Sequence, residues 1–125
     1  MTENQPVGEL AIRTLAMPAD TNPNGDIFGG WVLSQMDIAG GIVTKKIAGY
    51  KTVTVAVDAM QFHLPVLVGD VLCCYVEHLK TGSTSVRVKI EAWAQRQFGG
   101  RIKVTEGEFT YVAIDDTRRP IKIKK

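Results

Sequence analysis

Two hydrophobic periodicities divide this 125-residue chain, and together they restrict what it can fold into. From about Gly29 to Ala48, apolar residues recur at three- and four-residue intervals, so Val32, Met36, Ala39, Val43 and Ile47 form one buried stripe of a helix. Ser34, Asp37, Gly41 and Lys45 follow a second, more polar line. After Lys51 the period falls to two. Strands are expected over 52–62, 71–80, 84–97 and 101–115, with a short one at Glu9–Leu15 before the helix. Segment 84–97 alternates most regularly: Val86, Val88, Ile90, Ala92 and Ala94 share one face, and Arg87, Lys89, Glu91, Trp93 and Gln95 the other. In 101–115 the inward parity changes from Ile102 and Val104 to Phe109, Tyr111 and Ala113, which predicts a β-bulge near Gly107. One long helix and about five mostly antiparallel strands imply an α+β fold, a curved sheet around a central helix, in a single domain spanning 1–125.

Composition narrows the function. A net charge of +2, with no basic stripe interleaved with aromatics, argues against nucleic-acid binding. No apolar run approaches the ~20 residues of a membrane-spanning helix, and the N-terminus lacks a basic-then-apolar signal pattern. Cys73 and Cys74 are adjacent, and neighbouring Cα atoms at ~3.8 Å are too close for an ordinary disulfide. They are expected to be free, buried thiols in a reducing cytoplasm. His63 and His78 have no zinc-ligand spacing, and no nucleophile elbow, Walker loop or dinucleotide fingerprint is present, so neither metal nor cofactor is expected. Residues 116–125 form a basic tail, expected to be solvated.

Chemistry concentrates around the helix. Asn22-Pro23-Asn24-Gly25 is turn-forming, and Gly29-Gly30 follow where the helix should begin, leaving the first amides uncovered by side chains. Such amides suit a carbonyl oxygen on its way to an oxyanion. Asp37 then interrupts the apolar helix as a candidate general base or nucleophile, and partial burial would make it the stronger base. Asp26, just before the helix, is either a turn residue or a group that orients water or substrate, with Asn24 a weaker candidate. Gly40 and Gly41 each cost roughly 1 kcal/mol inside a helix, which makes sense if another backbone or a ligand comes close.

These blocks carry a resemblance. The Gly29-Gly30 helix start followed by Met36-Asp37-Ile38-Ala39-Gly40-Gly41 resembles the hotdog-fold acyl-CoA thioesterases, most closely the small YciA-type enzymes. Arg13-Thr14-Leu15-Ala16-Met17-Pro18, Val53-Thr54-Val55-Ala56-Val57, Val68-Gly69-Asp70-Val71 and Phe109-Thr110-Tyr111-Val112-Ala113 extend it over nearly the whole chain. The resemblance implies hydrolysis of acyl-CoA to CoA and a carboxylic acid, with Asp37 catalytic and Asp26 beside the thioester. Many hotdog proteins have His where this chain has Phe28, so a mechanism using that side chain is in doubt here. Ser83, Thr84, Ser85 and Arg87 are candidates to meet the phosphates of CoA, as similar segments do in the family. An acyl-thioester dehydratase is disfavoured because neither His lies in the helix-start loop, and a non-catalytic acyl-CoA sensor would not need Asp37.

Distance adds an expectation of assembly. Gly30 and Asp37 lie roughly 10 Å apart along a helix, too far for both to act on one carbonyl. A second copy running antiparallel across a two-fold axis would place its Asp37 opposite this chain's Gly30. A homodimer with two composite sites is therefore expected, and the resemblance implies further assembly into a hexamer.

Overall fold

The three- and four-residue spacing is realised as α1, Gly29–Ala48, lying across one face of a five-stranded antiparallel sheet. The structure, a computed structural model, describes residues 5–123. The strands are β1 (Glu9–Leu15), β2 (Lys51–Phe62), β3 (Val71–Thr81), β4 (Ser85–Gln95) and β5 (Arg101–Ile114), in the spatial order β1-β3-β4-β5-β2. The sheet is open, so β1 and β2 are its edges. This is the α+β layout, one helix on a five-stranded sheet, that the periodicities predict.

The core lies between α1 and the inner face of the sheet. Val86, Val88, Ile90, Ala92 and Ala94 of β4 are all fully buried, as the alternation requires, and face Val32, Met36, Ala39 and Val43 of the helix. Towards its C-terminus the buried stripe of α1 drifts to Thr44 and Ala48, leaving Ile47 only partly covered. Thr44 hydroxyl meets the Thr52 hydroxyl at 2.9 Å, tying this flank of the helix to β2. Gly49 ends the helix in the left-handed conformation (φ 75°), donating its N–H to Lys45 O.

The outer face of β4 is less exposed than alternation suggests. Trp93 and Glu91 are each only 3% exposed. Trp93 Nε1 donates to Glu91 Oε1 at 2.9 Å, the Val7 amide donates to the same oxygen, and Lys89 and Lys103 each place Nζ 3.8 Å from Oε2. The buried carboxylate is thereby paired and hydrogen-bonded, as burial of a charge requires.

Two expectations are corrected. The β5 irregularity lies at Val104, between the pairs Thr105–Ala92 and Lys103–Trp93, so the parity change occurs three residues before Gly107. Gly107 instead faces the irregularity of β2 at Ala59-Met60, where a Cβ would come within 2.7 Å of Met60 Sδ. The basic tail is not solvated throughout. Pro120 bridges to Ile114, the Ile121 amide donates to Ala113 O, the Ile123 amide donates to Ser83 O, and Ile123 is buried. Ile121 and Ile123 supply the apolar alternation that docks this segment among its cations; Lys124 and Lys125 lie outside the described residues.

β2 leaves an exposed edge. Val55, Val57 and Phe62 on it are 55%, 40% and 54% exposed, and Ile38 and Ile42 of α1 are 52% and 45%. A long apolar edge strand beside an apolar helix flank is a surface that proteins ordinarily cover.

Candidate active site

The loop before α1 is closed by its own polar groups. Asn22 Oδ1 accepts from the amides of Asn24 (2.9 Å) and Asp26 (3.2 Å), while Asn22 N donates to Asp26 O at 2.7 Å. Gly25 takes the positive φ of 86° that this turn needs. Ile27 N then donates to Val66 O and Phe28 N to Asp20 O, which fixes the direction in which the helix sets out. Within α1 the first amides with acceptors are those of Trp31 and Val32, both to Phe28 O. Among the described residues the amides of Gly29 and Gly30 have no backbone acceptor, and no side chain caps the helix. Those two N–H groups lie at the positive end of the helix dipole, and no acceptor among the described residues meets them.

A groove of about 320 Å³ runs past this point. Asp26 and Gly29 line it, joined by Phe62, Leu64 and His63 from the end of β2 and the segment after it. His63 was not legible from the sequence as a neighbour of the helix start, because only the path of β2 brings it there. Its Nε2 lies 3.7 Å from Glu106 Oε2. Asn24 is exposed in the turn, and Phe28, the N-cap residue, is about half-exposed.

Asp37 is two turns further on, half-buried and held from the sheet. Thr54 Oγ1 donates to its Oδ1 at 2.5 Å, and the Tyr111 hydroxyl lies 2.8 Å from both Oδ1 and the backbone O of Asp37. Tyr111 is buried, and that burial, reinforced by the neighbouring carboxylate, pushes its pKa well above the usual phenol range, so it remains a proton donor. Gly40 is needed here: a Cβ on it would lie 2.2 Å from the Tyr111 hydroxyl. The expectation that Gly40 admits another backbone or a ligand is thus replaced by a close approach of Tyr111 from its own chain. Gly41, by contrast, meets nothing within 4 Å and lines a second groove of about 440 Å³ with Ile38, Ile42, Val53 and the cations Lys45, Lys51 and Arg118.

The remaining sequence candidates lie at the same end of the sheet. Ser83 and Thr84 form the β3–β4 turn, Ser85 begins β4 opposite Val112, and Val86 pairs with Tyr111. Arg87 is engaged already: its Nε and Nη2 donate to Glu108 Oε1 at 2.9 and 2.5 Å, and Asp58 lies 3.9 Å away. Within one chain the structure therefore brings Asp26 to Gly29, and Thr54 and Tyr111 to Asp37, but leaves the two groups about 10 Å apart along α1.

Comparison with known proteins gives the family. The thioesterase superfamily matches residues 24–97. The acyl-CoA thioester hydrolase YciA of Salmonella typhimurium is 55% identical over 122 residues, covering 94% of this chain and 92% of that protein. The hexameric thioesterase of Yersinia pestis has a TM-score of 0.94 at 55% identity, covering 97% of this chain and 99% of the other. A hexameric hotdog fold thioesterase of Campylobacter jejuni gives a TM-score of 0.89 at 40% identity, covering 94% and 91%. With an unsatisfied helix start, a held helix carboxylate and likeness along almost its whole length, the chain belongs to the thioesterase superfamily, among its hotdog-fold acyl-CoA thioester hydrolases.

Proposed function

We propose that two copies of this chain hydrolyse acyl-CoA at composite sites, each built from the helix start of one copy and Asp37 of the other. The observation that carries this reading is the pair of unsatisfied amides at Gly29 and Gly30 on the same helix as a carboxylate they cannot reach. The thioester carbonyl oxygen accepts from these amides. Asp37 takes a proton from water as the water oxygen attacks the carbonyl carbon, and the resulting oxyanion gains more from the amides than the ground-state carbonyl did. When the carbon–sulfur bond breaks, the proton on Asp37 passes to the departing CoA sulfur, leaving a carboxylic acid and free CoA. Asp26 and Asn24 flank the helix start, where they orient water or the acyl group. Water is the only co-reactant, so no cofactor is required.

The exposed apolar edge of β2 and flank of α1 suit a two-fold contact that places α1 of the two copies antiparallel. Relatives of this fold are hexamers, and we extend that assembly to this chain. Ser83, Thr84 and Ser85, with Lys45, Lys51 and Arg118, offer hydroxyls and positive charge for the phosphates of CoA. Free Cys73 and Cys74 accord with a cytoplasmic setting. The test is a CoA-release assay over short, medium and long acyl chains, comparing wild type with Asp37→Asn. Turnover by wild type and a loss of at least ~100-fold in the variant are expected; a variant keeping more than about a tenth of wild-type turnover would remove Asp37 from the mechanism.

A further inference from the structure

Two hydroxyl groups reach the carboxylate of Asp37, and both reach the same oxygen. Thr54 on β2 and Tyr111 on β5 are direct cross-strand partners, so they rise from the sheet side by side beneath the helix. Thr54 Oγ1 donates to Oδ1 at 2.5 Å, and the single Tyr111 proton is shared between Oδ1 and the backbone O of Asp37, each 2.8 Å away. Among the described residues no donor reaches Oδ2. Gly40, one turn along, leaves the space the phenol occupies.

We infer that Thr54 and Tyr111 are positioning residues that saturate Oδ1 and turn Oδ2 outward as the one oxygen of Asp37 that exchanges a proton with water. This rests on the reading of Asp37 as the base. The second bond from Tyr111 ties the side chain to its own backbone carbonyl, so the carboxylate cannot rotate about its last bond without breaking both hydroxyl contacts.

The experiment measures kcat and KM for Tyr111→Phe, Thr54→Val and Thr54→Ser, with the unfolding midpoint and oligomeric state of each. A lost hydrogen bond to a charged group converts to about ten- to a hundredfold in rate, and this is the fall in kcat expected for Tyr111→Phe and Thr54→Val. KM should change by less than about threefold, because the lost contacts act on the attacking group and not on substrate binding. Thr54→Ser keeps a hydroxyl and should recover most of the loss. Thr44→Val, which removes the other hydroxyl contact between α1 and β2, should lower the unfolding midpoint and leave kcat of the folded protein at the wild-type level. Folded Tyr111→Phe and Thr54→Val proteins with wild-type kcat would overturn the inference. Should Tyr111→Phe not fold, Thr54→Val decides alone, since Thr54 is exposed in the subunit. If Asp37→Asn stays active, the underlying mechanism fails; if it is inactive while the hydroxyl variants behave as wild type, only this inference does.

Discussion

Replacing Gly40 by Ala adds one methyl group at the most crowded point between helix and sheet. Its Cβ would lie 2.2 Å from the Tyr111 hydroxyl, 2.7 Å from Cζ of the same ring and 2.8 Å from Ile90 Cδ1. The Ile90 methyl is the end of a flexible side chain and can give way, but Tyr111 is buried in β5 and its ring can only shift as a unit. Overpacking of this kind costs about 1–3 kcal/mol, of which the better helix propensity of Ala returns about 1. Displacing the phenol also breaks its bond to Asp37, worth about 1.5–3 kcal/mol for a charged acceptor. The net is a loss of about 3 kcal/mol, or roughly 10 °C in unfolding midpoint for a chain of this length. Differential scanning calorimetry at fixed protein concentration measures it, alongside a CoA-release assay in which turnover should fall with the displaced Asp37. In the double variant Tyr111→Phe removes the atom at 2.2 Å, so the two changes should be less than additive by about 1 kcal/mol or more. A Gly40→Ala protein within about 2 °C of wild type and fully active would refute the packing argument.

Two further outcomes follow from contacts elsewhere. Truncation after Arg119 removes Ile123 from the core and the two amide bonds at Ile121 and Ile123; loss of one buried Ile alone is worth about 1.5–3 kcal/mol, so urea unfolding should shift accordingly, and an unchanged curve would show the segment undocked. Arg96→Met strips the guanidinium from Asp70, which is 2% exposed and otherwise bonded to the Leu67 amide; a loss of about 3–5 kcal/mol is expected by denaturant titration, and a loss below about 1 kcal/mol would contradict it.

Much of the fold was legible because it is local. Apolar spacing and the Gly29 and Gly49 boundaries delimit α1, and alternation fixes the inner face of β4, since both depend on neighbours a few residues apart. What sequence could not supply is whatever pairing across the sheet decides. Tyr111 reads as one more inward aromatic, and only the register of β5 on β2 shows that it meets Thr54 and Asp37. His63 reaches the helix start through the same strand. The parity change in β5 could be read from burial preference, but the residue that absorbs it could not, because Val104 and Gly107 both fit the pattern. The cations of the tail point to solvent, whereas the alternation of Ile121 and Ile123 carries the docking signal. The candidate site was legible as two halves, the glycine amides and Asp37. The ~10 Å between them along a helix is the distance on which the proposal of a second, completing copy rests.

Subunit complementation addresses that central claim most directly. Asp37→Ala keeps an open helix start but no carboxylate, and Gly30→Val keeps the carboxylate while its side chain, built into space that is empty within 4 Å of the Gly30 Cβ position, obstructs the approach to the amides. Each protein alone should be inactive. Mixed in equal amounts under conditions that exchange subunits, half of the dimers become heterodimers, and each heterodimer has one site with both intact parts. The account predicts recovery of about a quarter of wild-type CoA release. No recovery, with exchange of subunits independently demonstrated, would show that the carboxylate and the amides act within one chain and would contradict the composite site.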